Sequence, residues 1–391
     1  MAHLKVMLVT HAYLAEENRK KLSLLGREVE LEVVSPDRAT TPLFRYRVQR
    51  RVLKEDSYTM RFYRPLPEAG IPARYLLLSG DLHLRRFRPD VIHLENAAWS
   101  LLSQQVLAYA GLHRSPAAFV LTERQNTYTT YGSMLTPLKD WVARAVIARM
   151  DRFIASNQGS RQILEARFGV DPNRIDMVLQ LGVDTTHFHP VSAEERRRLR
   201  SRWNLSPDAL VIGYCGRLVE EKGLLELCEA ARMLGAKTRA PLQVAMLGDG
   251  LLRAQLEREA GIALVLNPAV PHAEVASFLQ AVDIFVLPSR VLPTHEEHDA
   301  HALLEALSCG LPCLGTTSGA IPEILSGAGL VGPPSDASAL TDALAQLLDP
   351  AVRQAWGEAG RRRILERYSN QRIVEAQLGT YQRAVADRRR T

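Results

Sequence analysis

The sequence predicts an α/β chain made of two doubly wound domains, each an open, mostly parallel sheet. Three observations carry this prediction. Apolar runs of strand length alternate with amphipathic helical stretches along the whole chain, as βαβ units require. The alternation starts twice, at LKVMLVT (4–10) and again at ALVIGYC (209–215). The length of 391 residues suits two domains of ordinary size.

In the first half, residues 4–10 read as a buried strand and 18–25 as a helix. Val29 to Ser35 is the next strand and stops at Pro36. Residues 38–75 are the least regular part. Alternation in VLKEDSYTMRFYRP suggests a strand or hairpin, and Arg45, Arg47, Arg50, Arg51, Lys54, Arg61 and Arg64 make the segment basic. Residues 74–87 are expected to be helical. Strands follow at 90–94, 117–122, 151–156 and 175–178, with helices at 99–110, 139–149 and 160–168 between them. A charged helix over 194–203 marks the break between domains, expected near 186–206.

The second half repeats the pattern. Strands are expected at 209–215, 242–247, 263–266, 283–287 and 312–315, and helices begin near 224, 250, 273 and 302. The helix over about 302–309 stops at Gly310, with Pro312 just beyond. Residues 337–348, 351–368 and 371–387 close the chain as helices.

Composition excludes several classes. With 46% hydrophobic and 24% charged residues the chain is an ordinary globular one, and no run of eighteen apolar residues predicts a membrane-spanning helix. The N-terminus reads as a core strand rather than a signal peptide. Cys215, Cys228, Cys309 and Cys313 sit in apolar contexts without a paired framework, which fits a reducing cytoplasm. The first 190 residues hold 26 basic and 19 acidic residues, the remainder 23 and 24. A basic first half favours an anionic partner, such as a phosphorylated or membrane-bound acceptor, although ordinary charge scatter explains it equally. No nucleic-acid motif is present, and no amphipathic helix with a bulky apolar face argues for stable membrane binding.

The residues with chemistry lie at the carboxyl ends of strands, where open parallel sheets bind ligands. In LPSRVLPTHEEHDAHALLEALSCGLP (287–312), Glu297 sits in the loop and Glu305 one to two turns into the helix. A diphosphate placed on the amides near Asp299 to Ala302 would leave both carboxylates free for sugar hydroxyls, although a loop of solvated charge is an equal reading. Gly216-Arg217 and Glu221-Lys222-Gly223 supply a forked donor, a point charge and a helix start, all suited to phosphate. In the first half His11, Glu95, Asn96, Glu123, Arg124, Gln125 and Asn126 fall at strand ends and are candidates for an acceptor pocket; capping explains Asn96 and Asn126 equally.

Taken together, Pro288, Ser289, Glu297, Glu305, Ala306, Gly310 and Pro312, with Gly216-Arg217…Glu221-Lys222-Gly223, resemble the donor-site text of retaining glycosyltransferases of the GT-B fold, family 4. Gln180-Leu-Gly-Val-Asp184…Phe188-His-Pro190 and Ser318-Gly-Ala-Ile-Pro-Glu323 are similar to two further family segments. His298, Asp299 and Ala300 depart from the family, standing where Gln/Gly-Phe-Gly is usual.

The resemblance implies two Rossmann-like domains with a cleft between them. It sets an acceptor-binding domain over 1–190, a linker over 191–206, a nucleotide-sugar domain over 207–370, and a last helix (371–391) packing back on the first domain. It implies transfer of a sugar from a nucleoside diphosphate to the hydroxyl of a small-molecule, glycan or lipid-linked acceptor, with retention, no cofactor and no metal. Arg217, Lys222 and Glu297 are the implied catalytic residues. Gly216, Gly223, Asn267, His298, Asp299, Ala300, His301, Ala302 and Glu305 are the implied donor contacts. Two alternatives stay open: a nucleotide-sugar-binding protein that has lost transfer, and a variant with a divalent metal held by the cluster from His295 to His301, whose spacing matches no standard zinc signature.

Overall fold

The computed structural model describes residues 3–40, 45–67, 75–125, 136–238, 240–293 and 295–390. The chain forms two compact units, one of residues 1–182 with 370–391, the other of residues 183–369.

Unit 1 begins with β1 (Lys5–Val9), α1 (Arg19–Glu28) and β2 (Glu30–Pro36). Its irregular segment resolves into short strands: β3 (Arg38–Thr40), β4 (Arg45–Arg47), β5 (Val52–Lys54), β6 (Tyr58–Tyr63), β7 (Pro65–Leu66) and β8 (Leu76–Leu77). The expected hairpin is the antiparallel pair β5–β6, and β3 and β4 form a second antiparallel pair. The helix expected over 74–87 is a correction. Of its described residues only α2 (Leu84–Phe87) is helical, because Leu82 and His83 adopt left-handed backbone angles and β8 pairs with β7 instead. Then come β9 (Val91–Leu94), α3 (Leu101–Leu112), β10 (Ala118–Glu123), α4 (Thr136–Ile147), β11 (Arg152–Ala155), α5 (Gln158–Gln162) and β12 (Ile175–Met177).

Eight strands form one sheet in the order β12-β11-β10-β9-β1-β2-β6-β5, parallel except for the β5 edge. Val6 to Val9 of β1 are wholly buried, as expected for a strand covered on both faces. The chain leaves β1 toward β2 on one side and reaches β9 on the other, so the switch in strand order lies between β1 and β9.

Unit 2 contains α6 (Ala193–Arg202), β13 (Leu210–Cys215), α7 (Leu224–Lys237), β14 (Leu242–Leu247), α8 (Arg253–Glu259), β15 (Leu264–Asn267) and α9 (His272–Leu279). It continues with β16 (Ile284–Leu287), α10 (His301–Ser308), β17 (Cys313–Thr316), α11 (Ile321–Leu325), β18 (Leu330–Gly332), α12 (Ala337–Gln346) and α13 (Pro350–Arg363). Its six strands are all parallel, ordered β15-β14-β13-β16-β17-β18, with the switch between β13 and β16. Residues 191–206, expected as a linker, carry α6, which is tied into this unit. Arg200 is buried, donates to the carbonyls of Ala281 (3.1 Å), Pro207 (2.9 Å) and Ala209 (3.1 Å), and pairs with Asp283.

The chain then returns to unit 1 through α14 (Asn370–Arg388). Tyr381 of this helix is fully buried, with its hydroxyl 2.8 Å from Nδ1 of His93 on β9. Thr380 donates to Asp176 (2.9 Å), and Arg152 of β11 donates to Asp387 (2.8 Å).

Candidate functional site

At the carboxyl edge of the unit 2 sheet, the loops after β13, β14 and β16 lie against one another. Glycine is needed where they touch. A Cβ on Gly223, whose φ is 65°, would stand 2.1 Å from the Pro288 carbonyl oxygen, and one on Gly248 would stand 1.9 Å from that of Gly216. The buried Tyr214 hydroxyl donates to the Arg217 carbonyl (2.7 Å) and fixes the turn that presents Arg217. Arg290, just after β16, clamps the β13 loop by donating to Glu226 (2.7 Å) and Glu220 (2.9 Å).

The sequence-predicted donor residues converge at this edge. Lys222 pairs with Glu297, and the Ser289 hydroxyl donates to the same carboxylate oxygen at 2.7 Å. Ser318 accepts from the Glu297 amide (3.3 Å), and the Glu297 carbonyl accepts from the Ala320 amide (2.9 Å). Burial pushes the Glu297 carboxyl up, but Lys222, Ser289 and His295 together outweigh it and hold the group below its usual range. Arg217 pairs with Glu221 at 3.0 Å. Glu305, on α10, is 2.6 Å from Nε2 of His272, which opens α9. Asn267, at the end of β15, is buried, and its Nδ2 has no hydrogen-bond partner among the described residues. Gly216 and Gly223 are thus closely packed at this edge, each with its amide donating to a backbone carbonyl.

His298, Asp299, Ala300, His301 and Ala302 form the approach to α10 and its first turn. Ala300 takes φ 42° and ψ 46°, a left-handed geometry that glycine adopts without strain. Asp299 is buried and lies 4.0 Å from His301. Burial and Lys222 hold His295 below its ordinary value. Among the described residues no three His, Cys, Asp or Glu side chains are placed to hold one metal ion.

In unit 1, His11, Glu95, Asn96 and Arg124 gather at the carboxyl ends of β1, β9 and β10. Burial first, then Arg124, lowers His11 to about 4. Glu95 is committed elsewhere: it pairs with the buried Lys21 at 3.6 Å and accepts from Gln180 (2.8 Å). Asn96 donates to the Val9 carbonyl (2.9 Å), and Glu123 accepts from the amides of Arg124 and Gln125, both at 3.0 Å. These three are therefore held by hydrogen bonds within unit 1. Asn126 lies outside the described residues.

The sequence reading did not single out His272, Ser318 or Lys21. Ser318 lies in a quoted family-like turn, and a lysine on the apolar face of α1 is a signal in itself. Nothing local marks His272.

The chain was compared with known proteins. The family described as "Glycosyl transferases group 1" matches residues 195–363, and "Glycosyl transferase 4-like domain" matches 15–179. A GDP-mannose-dependent alpha-mannosyltransferase of Mycobacterium tuberculosis is 29% identical over 416 aligned positions, covering 100% of this chain and 99% of the relative. Sucrose-phosphate synthase from Thermosynechococcus elongatus superposes with a TM-score of 0.73 at 18% identity, covering 97% of this chain and 99% of that one. Anabaena HepE in complex with UDP gives 0.68 at 15% identity, covering 96% and 99%. Among the described residues no helix is long and apolar enough to cross a membrane.

Proposed function

This chain belongs to the group 1 glycosyltransferases of the GT-B fold and is a hexosyltransferase using a nucleotide-sugar donor, and from that premise we propose that it transfers mannose from GDP-mannose to an acceptor hydroxyl, with retention and without a metal ion, in the cytoplasm. The observation that carries the reading is the assembly of Arg217, Lys222, Glu297 and Glu305 at one sheet edge of unit 2. The choice of donor rests on the full-length similarity to the GDP-mannose-dependent relative.

The chemistry follows from the charges. Breaking the bond between the sugar and the diphosphate leaves negative charge on phosphate and positive character on the sugar. Lys222, Arg217 and the amides at the starts of α7 and α10 place positive charge where the phosphate charge grows. This is the work a divalent cation would otherwise do. Glu297, held on Lys222 and Ser289, is a poor covalent nucleophile; it orients sugar hydroxyls, and the departing phosphate oxygen takes the acceptor proton. Glu305 accepts from ribose hydroxyls, and the Asn267 Nδ2 donates to a base carbonyl.

The test is calorimetric titration with GDP-mannose, UDP-glucose and ADP-glucose in EDTA, followed by NMR of the product's anomeric carbon. Selective GDP-mannose binding, lost in Arg217→Ala, and an α-linked product are expected. Preference for another nucleotide would move the donor assignment, an inverted anomeric centre would sink retention, and no binding of any donor would sink the reading.

A further inference from the structure

We propose that the acceptor carries a phosphate, bound by an arginine-lined cavity at the carboxyl edge of the unit 1 sheet; this deepens the acceptor side of the transferase reading and rests on it. The cavity, of about 580 Å³, lies within unit 1 and is lined by Arg50, Arg51, Arg61, Arg64, Gln49 and Tyr63, among others. That volume is within the range of about 300–1,000 Å³ typical of small-molecule pockets.

Its position follows from the strand ladder. The Arg51 carbonyl accepts from the Phe62 amide (2.9 Å), and the Tyr63 carbonyl accepts from the Asp37 amide (2.7 Å). The cavity therefore sits where β2 and β6 end. These strands run parallel to β1, so it shares an edge with His11, which follows β1. The ladder β1-β2-β6 puts it about 10 Å from that residue, at two strand spacings. One small acceptor can reach across that distance, with its reacting hydroxyl near His11 and an anionic group over β6.

The charge is one-sided. Among the cavity's neighbours, Asp37 is taken by Arg38 at 2.7 Å, and Glu32 by Arg61 (3.0 Å) and His83 (2.7 Å). Arg50 and Arg51 are exposed at the rim and make no side-chain ion pair among the described residues. Arg50 and Arg51 line the hollow, and each guanidinium carries the fork of donors that phosphate oxygens accept. A larger cavity of about 810 Å³ at the opposite strand ends also holds arginines. There Arg152 and Arg388 are matched by Asp387 and Asp151, and Arg114 and Arg149 line it away from β6, so changing these last two controls for loss of positive charge alone.

The experiment titrates the full chain with neutral and phosphorylated twins: glycerol and glycerol 3-phosphate, mannose and mannose 6-phosphate. It does so in the wild type, in Arg50→Gln/Arg51→Gln and in the control Arg114→Gln/Arg149→Gln. Vesicles of phosphatidylcholine with and without phosphatidylinositol are co-sedimented in parallel. The phosphorylated probes are expected to bind at least tenfold more tightly than their twins, and the ratio to fall at least fivefold in Arg50→Gln/Arg51→Gln but not in the control. Arginine-dependent binding of the soluble probes assigns a free phosphorylated acceptor. The same dependence seen only with phosphatidylinositol vesicles assigns a lipid headgroup. Equal binding of twins and vesicles alike, or an equal loss in both double variants, overturns the proposal. GDP titration of the same proteins reports the donor site separately, so failure of the transferase reading shows as lost nucleotide binding rather than as an unchanged phosphate ratio.

Discussion

At the carboxyl edge of the unit 2 sheet each cation of the site already faces a carboxylate: Lys222 faces Glu297, Arg217 faces Glu221, Arg290 faces Glu220 and Glu226, and His272 faces Glu305. At the same edge of unit 1 a buried carboxylate–lysine pair, Glu95 with Lys21, is sealed inside, and among the described residues Arg50 and Arg51 face no carboxylate. The contrast separates two ways of recognising an anion. A self-paired site stays neutral and ordered when empty, and a diphosphate enters by competing for cations that already have partners. An unpaired site projects its field into solvent and attracts anions before contact. The first arrangement favours selectivity, the second encounter.

The largest test of this contrast is Lys222→Ala. Removing a donor aimed at developing charge should cost about 10²–10³ in kcat. It also leaves Glu297 buried without its cation, so unit 2 should melt earlier, and adding Glu297→Gln should restore the melting temperature without restoring turnover. A loss below tenfold would break the idea that the pair is part of the machinery.

Acid should affect the two units to different extents. His11 and His93 are held by burial at about 4, against 6.5 for a free imidazole, so the unfolded chain binds their protons first. Their contribution is complete above pH 6.5 and is lost as pH falls toward 4, at about 1.4 kcal/mol per pH unit for each imidazole. Glu297 has a lowered pKa, so its contribution is present above its unfolded value of 4.5 and disappears only as pH drops through the lower folded one. Unit 2 holds one lowered imidazole of the same kind, His295, so calorimetry between pH 7 and 4 should show unit 1 losing more stability than unit 2, and an equal loss would contradict this assignment.

A smaller effect is expected from His272→Ala. Loss of one hydrogen bond to Glu305 should weaken GDP binding about fivefold, or about 1 kcal/mol, with little change in kcat. An unchanged dissociation constant would leave the pair structural. Treatment with EDTA should change turnover least, leaving it at the untreated rate; a loss reversed by a divalent cation would revive the cluster from His295 to His301.

Much of the architecture was legible because parallel strands covered on both faces must be continuously apolar; β1, β9, β13 and β16 stand out for that reason. The donor loops were legible because Gly223 and Lys222 sit beside each other where a strand meets a helix. Short edge strands were not, since two-residue pairs such as β7–β8 have no periodicity to read. Nor were the contacts that orient the site. His272 is 33 residues from Glu305, and Ser318 is 21 from Glu297; only the folded register brings them together. The same applies to Arg200, whose charged helix reads as a linker until Asp283 is seen beside it.

The route of the chain has a consequence for synthesis. Unit 2 is one uninterrupted stretch, whereas unit 1 needs α14, the final helix, to cover His93 and to meet Asp176. At about 5–20 residues per second, a ribosome reaches that helix roughly 10–40 s after completing residue 182. The half of the protein made first is thus the half finished last. During that interval the surface that will receive α14 is exposed to chaperones and to neighbouring nascent chains, and a stop codon directly after Ser369 would spare unit 2 while leaving unit 1 open.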